Sequence, residues 1–530
     1  VAVGTVTAMS VLRRVAAGAI VARANLRPLE RPDRLVRAAL AMGPWGGTLA
    51  GLVAASAARE PGRVAVVDDR GRISYARLWD RARRSAGGLT ARGVGRGTTV
   101  GLLARNHTGF VEALIAIAAT GADVVLLNTG FAGPQLADVV EQEGISWIVH
   151  DDEFGDVVAA TGAVALDEAA MAALAGGRDP ARPNRTQGRT IILTSGTTGR
   201  PKGAARRQDA GAIEGVAAVL ERLPYRFGDT QVVAAPLFHA WGLTNLLLGL
   251  GRCATNVLAR RFDAEATLRA TSAERADVLV VVPAMLARIV TLPSEVLASA
   301  PTPQLRAIAS SGSALGSRLV IDVLDRFGPV LHNLYGSTEV AVASIATPGE
   351  LRRAPATAGR VAFGVRVEIL DGDGQPVAAG DVGRIFVGGP MRFEGYTTGG
   401  GKEQRRGLLA SGDLGYLSDG LLFVVGREDD MIVSGGENVY PSEVEELLAH
   451  HPAVADVAVV GVPDDAFGQA LAAHVVRRPG ARVTEEELRE HVRANLARHK
   501  VPRRVRFVDE LPRTTTGKVL RRDLGGGEGT

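Results

Sequence analysis

The chain has 530 residues, 46% hydrophobic and 22% charged, which excludes a disordered polar chain and exceeds what one hydrophobic core usually organises. Its formal net charge of +4 is small for that length and excludes the strongly basic footprint of a nucleic-acid-binding protein. A single cysteine, Cys253, excludes a disulfide framework or a Cys-rich zinc site, reads as a packed core thiol and fits a reducing cytoplasm.

Over residues 1–45, arginines interrupt short apolar runs at roughly helical spacing, which predicts an extension of one or two amphipathic helices. No apolar run there reaches the roughly 20 residues that span a bilayer. The extension is therefore expected either to pack on the body or to make a weak peripheral membrane contact through its Arg-rich face. From about Thr48 to Leu422, helical stretches alternate with short β-branched runs such as "TVGLLA", "ADVVLL", "TIILTS" and "ADVLVVV". That alternation predicts an α/β fold of parallel sheets covered by helices. After about Ala362, D-G and G-D pairs separate short alternating runs, which predicts antiparallel strands and a small β-barrel. The Gly-rich "TTGGGKEQRRG" reads as a mobile loop. The polar string "GREDD" then separates this region from a tail of about 100 residues, a size that folds on its own as a compact α+β domain. The chain thus divides into an extension over 1–45, a large domain over 46–426 and a small mobile domain over 427–525.

The segment "TIILTSGTTGRPKGA", Thr190 to Ala204, runs an apolar strand into a loop of hydroxyls and glycines. Glycines let a backbone approach a phosphate closely, and free N–H groups and hydroxyls can donate to its oxygens. Thr194, Ser195, Gly196, Thr197, Thr198 and Gly199 form the candidate cradle, and Lys202 adds a positive charge. Pro201 stands where a Walker-type loop needs its second glycine and Gly203 where it needs Ser or Thr, so a kinase or GTPase reading weakens. Lys202, Lys402, Lys500 and Lys518 are the only lysines among 61 Lys plus Arg. Where Arg has replaced Lys almost everywhere else, a retained lysine points to a need for the compact, flexible ammonium.

The loop resembles the phosphate-binding signature of the adenylate-forming superfamily of acyl- and aryl-CoA synthetases, peptide-synthetase adenylation domains and beetle luciferases. Further motifs match in the same order: "PLFHAWGL" (236–243), "YGSTE" (335–339), "SGDLGYLSDG" (411–420), "GREDDMIVSGGENVYPSEVEE" (426–446) and "PRTTTGKVLRRDL" (512–524). The resemblance covers about Trp45 to Leu524. One departure is "KGAARRQ" after the loop, where many relatives carry a His and this chain has Arg206 and Arg207.

Several side chains suit their implied tasks on chemistry alone. Tyr335 offers a flat ring for adenine, the segment Gly336, Ser337 and Thr338 suits the α-phosphate, and Glu339 offers a hard oxygen to Mg²⁺. Asp413 presents a carboxylate suited to both ribose hydroxyls, and a mobile cation would stabilise the charge that builds when a carboxylate attacks the α-phosphorus; the resemblance implies these tasks for Asp413 and Lys518. The resemblance further implies Thr194 beside Glu339 at the metal, Arg427 beside Asp413, and Ser313 with Ala314 at the adenine edge. It implies His239 in the acyl-pocket wall, and Trp241 either as a gate or as ordinary packing. Asp429 matches the hinge about which the tail rotates, with Gly435 and Gly436 bordering the thiol's approach.

The implied reaction joins a carboxylic acid to ATP as an acyl adenylate and transfers the acyl group to CoA, with Mg²⁺ as cofactor. CoA is favoured because no carrier-domain segment follows Leu524, and the apolar "FHAWGLTNLLLGL" leans toward a medium- or long-chain fatty acid. Three alternatives stay open: an acyl-AMP ligase loading a carrier protein, an adenylating enzyme that uses another acid or nucleophile, and a catalytically silent nucleotide-binding regulator. A homodimer is also left open.

Overall fold

The computed structural model describes residues 2–26, 31–195, 201–206, 212–391, 393, 395–397, 399–434, 437–464, 468–514 and 517–525. Three helices open the chain: α1 (Ala2–Asn25), α2 (Pro32–Met42) and α3 (Leu49–Arg59). In α2, Pro32 occupies the first turn, where a missing N–H breaks no helical bond, and Asp33 complements the helix dipole. In α3, the hydroxyl of Thr48 caps the N-terminus by accepting from Gly51 N at 3.1 Å. α1 lies along the helix Ala212–Leu220, where Arg13 pairs with the buried Glu214 at 3.0 Å, and α2 lies along α3. The extension is thus packed on the body, although no side chain of α2 is buried.

Two helix-covered sheets follow. The six-stranded one runs in the order Val164–Leu166, Trp147–His150, Thr99–Leu103, Asp123–Leu126, Thr190–Ser195 and Pro201–Arg206, parallel except for the last pair. The fourteen-stranded one has a parallel centre of Thr255–Leu258, Thr230–Val233, Val278–Val281, Ala307–Ser310 and Leu331–Ser337. Runs such as Val278–Val281 are buried throughout, as strands between two helix layers must be. Cys253 lies in this body; it is buried, its Sγ is 3.9 Å from Ser56 O, and burial pushes the thiol up to about 11.

The antiparallel region begins earlier than the turn signals suggest. Ala341–Ala346 folds back on Leu331–Ser337, and the ladder continues through Thr357–Val361, Leu421–Arg427, Leu408–Ser418 and Gly383–Gly388 to Arg366–Leu370. These strands share a core of Val340, Ala343, Ala358, Ile369, Ile385 and Leu422. The Gly-rich segment is structured in part, because Gln404–Arg405 pairs with Leu408–Ser418 and Glu403 holds Arg405 at 2.8 Å and Arg384 at 2.7 Å.

The tail builds a five-stranded sheet around its own core, which includes Ile432, Val444, Leu448, Val459, Leu488 and Val492. Its helix Glu485–Asn495 starts with a capping box in which Thr484 and Glu487 each satisfy the other's backbone N–H. One helical turn, Glu428–Asp430, links it to the large sheet, with the Asp429 side chain facing solvent. The tail docks on the body through Ser317 N, which donates to Glu446 Oε1 at 3.2 Å.

Candidate active site

A cavity of about 2360 Å³ opens where the two sheets and the tail meet. All four lysines, Lys202, Lys402, Lys500 and Lys518, contribute to its wall, so a residue type scarce in this chain is gathered at one place.

The loop after Thr190–Ser195 returns as Pro201–Arg206, with Thr194 opposite Lys202 and Ser195 opposite Pro201 in the ladder. Gly196, Thr197, Thr198 and Gly199 lie outside the described residues, as do Gly435, Gly436, Arg207 and the side chains of Thr194, Ser195 and Arg206. The Lys202 ammonium stands 5.5 Å from the centre of the Tyr396 ring. Tyr396 bridges to Ala204, and Thr397 N donates to Gly203 O at 2.9 Å. A Cβ on Gly203 would lie 2.6 Å from Thr397 Oγ1, so glycine is what allows this close seam.

Strand Leu331–Ser337 carries Tyr335 into the cavity and ends in a bulge at Gly336. There the chain turns back so tightly that a Cβ on Gly336 would sit 1.7 Å from Ala341 O. Ser337 Oγ accepts from the N–H groups of Glu339 and Val340, both at 3.2 Å, and so closes the turn. Glu339 is buried, and its two oxygens accept from Ser337 Oγ at 2.8 Å and Tyr396 Oη at 2.9 Å. No Lys or Arg pairs with this carboxylate among the described residues. A buried carboxylate that faces the cavity and has no Lys or Arg partner among the described residues fits a hard divalent cation such as Mg²⁺.

Asp413 and Arg427 are brought opposite each other by the pairing of Leu408–Ser418 with Leu421–Arg427. Tyr335 Oη donates to Asp413 Oδ2 at 2.6 Å, and Arg427 Nε lies 3.8 Å from Oδ1. Burial raises the Asp413 pKa, while Tyr335, Arg427, Lys518 and Lys402 favour the carboxylate. Burial, and then the neighbouring Asp413, also pushes the Tyr335 hydroxyl well above its ordinary value, so it remains a donor. Ser313 and Ala314 follow the neighbouring strand Ala307–Ser310 into the same cavity, as do Gly336, Ser337 and Thr338.

Lys518 comes from a tight hairpin of the tail, closed by Thr514 N to Lys518 O and Gly517 N to Thr514 O, both at 2.8 Å. Desolvation, then Arg427, lowers its pKa, while Asp430 and Asp413 oppose the shift. Asp413 therefore stands among Arg427, Lys402 and Lys518, and the docked tail supplies the last of these. Lys500 is tied to Glu443, at 2.7 and 2.6 Å.

His239 is the residue before the helix Ala240–Gly251 and lines the cavity beside Phe238, ring centres 4.4 Å apart. Burial lowers its pKa to about 4, so the imidazole is neutral at pH 7. Trp241 also lines the cavity, but its Nε1 donates to Val281 O at 3.0 Å and fixes the ring as wall. That hydrogen bond favours the packing reading over the gate.

Two wall residues were not singled out by motif. Tyr396 ties Glu339 to the Lys202 strand, and Lys402 stands beside Gly412 and Asp413. For Lys402 the scarcity of lysine was the available signal; for Tyr396 there was none. Elsewhere, His107, Asp151 and Glu168 are close enough to hold a metal ion. Arg260 already fills that position, 3.4 Å from Asp151 and 3.1 Å from Glu168.

Comparison with known proteins agrees with this geometry. Residues 53–397 match the AMP-binding enzyme family and residues 443–518 match the AMP-binding enzyme C-terminal domain. The chain is 35% identical to an indoleacetate–CoA ligase of Aromatoleum aromaticum, over 88% of this chain and 95% of that protein. It is 32% identical to a fatty acid–[acyl-carrier-protein] ligase of Streptomyces coeruleorubidus, over 88% and 94%. The crystal structure of ATP-bound MatB from Rhodopseudomonas palustris superposes with a TM-score of 0.81 at 29% identity, covering 90% of this chain and 98% of that one. This chain belongs to the AMP-binding enzymes of the adenylate-forming superfamily.

Proposed function

We propose that the chain activates a medium- or long-chain fatty acid as its acyl adenylate and passes the acyl group to CoA. AMP-forming acid–CoA ligation, with ATP, Mg²⁺ and CoA, is the chemistry of this family; the choice of acid is the new element. Relatives act on acids as different as indoleacetate and fatty acids, so family membership alone leaves that choice open. One observation carries the reading. The cavity that holds His239 is also lined by the apolar side chains of Val219, Leu220, Leu247 and Leu248, and its lining takes in Val21 of α1 and Met42 of α2.

In this reading the ring of Tyr335 flanks adenine, and Asp413, oriented by the Tyr335 hydroxyl, accepts from the ribose hydroxyls. Glu339, with Thr194, would hold Mg²⁺. When bound, the cation neutralises charge on the phosphate oxygens. Neutral His239 orients the substrate carboxylate, one of whose oxygens bonds to the α-phosphorus as the bond to pyrophosphate breaks. Lys518 stabilises the negative charge spread over the phosphoryl and carboxyl oxygens. In the second step the thiol sulfur attacks the acyl carbonyl and AMP leaves. Withdrawal of the tail about Asp429 removes Lys518 and opens the approach for the thiol.

Pyrophosphate release measured over linear acids from two to eighteen carbons and over arylacetic acids, with and without CoA, tests the proposal. With about 0.8 kcal/mol per buried CH₂, kcat/KM should rise about fourfold per added carbon until the apolar wall is covered. An arylacetic acid turned over faster than every linear acid would refute the assignment of the acid. Thioester formed on an acyl carrier protein and not on CoA would refute the acceptor.

A further inference from the structure

Ten large hydrophobic side chains are exposed among the described residues, and seven of them fall between residues 12 and 42. On α2, Val36 is 57% exposed and Leu40, one turn later on the same face, 70%; on α1, Leu12 is 68% and Val15 65% exposed. Scattered single apolar residues need no explanation, but a concentration on two adjoining segments does. These side chains are interleaved with arginine. Residues 1–45 hold seven Arg against Glu30 and Asp33 as the only acids. Asp33 is shared by Arg31 at 3.0 Å and Arg37 at 3.1 Å, Arg13 and Arg14 face Glu214 at 3.0 and 3.9 Å, and Arg34 faces Glu60 at 2.5 Å, so seven Arg stand against four acids and the local balance stays positive.

The opposite side of the same helices faces inward. Val21 and Asn25 of α1, and Ala38 and Met42 of α2, line the same cavity as His239. α2 therefore carries solvent-facing apolar groups on one side and cavity wall on the other, and none of its side chains is buried.

We infer that α1 and α2 dock the protein on an anionic phospholipid surface and form the doorway through which an acyl chain passes from the bilayer into the cavity. The inference rests on the fatty-acid reading above. Positive charge with exposed apolar side chains on an interfacial helix is the combination that binds an anionic lipid surface. No described helix is long and apolar enough to cross a membrane, so the contact is peripheral. The alternative occupant, a second copy of this chain, would bring two arginine-rich faces of like charge together.

The experiment uses the full chain with vesicles of phosphatidylcholine alone or with about a third phosphatidylglycerol, read by co-sedimentation. Binding is expected to the mixed vesicles, weakening as salt rises. Val36→Asp and Leu40→Asp should each weaken it about tenfold or more. Each variant should still activate hexanoate at the wild-type rate and lose turnover of palmitate presented in vesicles, which separates docking from misfolding. Wild-type protein that ignores mixed vesicles yet activates soluble fatty acids overturns the docking and leaves the fatty-acid reading standing. Vesicle binding without activation of any fatty acid supports the docking face, overturns the doorway and sinks the fatty-acid reading. A dimer in solution that Leu40→Asp converts to monomer, with no vesicle binding, assigns the face to a second copy and overturns the proposal.

Discussion

Replacing Asp413 with Asn should move ATP affinity and fold stability in opposite directions. The carboxylate accepts from Tyr335 Oη at 2.6 Å and lies 3.8 Å from Arg427 Nε, in a site whose burial disfavours its charge. Asn keeps the size and one acceptor oxygen but loses the charge and one acceptor for the ribose hydroxyls. A hydrogen bond to a charged group contributes about 1.5–3 kcal/mol, so a loss of about 2 kcal/mol weakens ATP binding roughly thirtyfold. Ligand at 100 times its Kd stabilises the fold by about 2.7 kcal/mol, and the same concentration would stabilise the variant by only about 0.9 kcal/mol. Without ligand the variant should melt at or slightly above the wild-type temperature, because the charge it removes is penalised by burial. The assay is thermal melting with and without ATP, beside KM for ATP from pyrophosphate release. A variant that keeps its ATP-induced shift, or that loses stability without ligand, refutes the reasoning.

Gly517 has φ +79°, and a Cβ there would lie 2.3 Å from the Ala284 Cβ. Gly517→Ala should therefore slow adenylation tenfold or more by displacing the docked tail, while thioester formation from supplied acyl adenylate continues. Ala284→Gly in the same chain should recover much of the loss; no recovery would refute the steric argument. Lys402→Met should raise KM for ATP about tenfold with little change in melting temperature, as expected for one lost charge-assisted hydrogen bond to a ligand; an unchanged KM places Lys402 outside the nucleotide site. Acid should destabilise the fold through His239 and His332, both held down to about 4 by burial. Their folded pKa values lie below the ordinary 6.5, so stability is full above that value and falls as pH drops toward 4, by about 2 kcal/mol per group at pH 5. His332→Asn should flatten urea midpoints plotted over that window, and an unchanged slope would contradict the assignment.

Much of the candidate site was legible in short strings of residues because its parts are local. A strand running into glycines and hydroxyls and a Tyr-Gly-Ser-Thr-Glu turn each carry their chemistry within a few residues, and Asp413 meets Arg427 across a single hairpin. The turn at Gly336 illustrates this: Ser337 Oγ, Glu339 N and Val340 N satisfy one another within four positions. The N-terminal helices were likewise visible as interrupted apolar runs, and depletion of lysine marked four positions of which all reach the cavity.

Tertiary structure decided which distant groups meet. Tyr335 and Asp413 are 78 positions apart and are joined by the order of strands in the large sheet; Tyr396 and Glu339 are 57 apart and meet because Tyr396 is held by its bridge to Ala204 in the six-stranded sheet. Lys402 reaches Asp413 because a Gly-rich segment without hydrophobic periodicity is pinned by one short strand pair and the Glu403 ion pairs. The nearness of Lys518 depends on docking between two separate cores, and the reach of the cavity to α1 and α2 depends on how helices pack on a surface hundreds of residues away in sequence. Periodicity and turn chemistry report which face of an element is apolar and where the chain turns. Which faces come together is set by long-range burial, and that is where this chain gathers its scarce lysines and opens its acyl cavity.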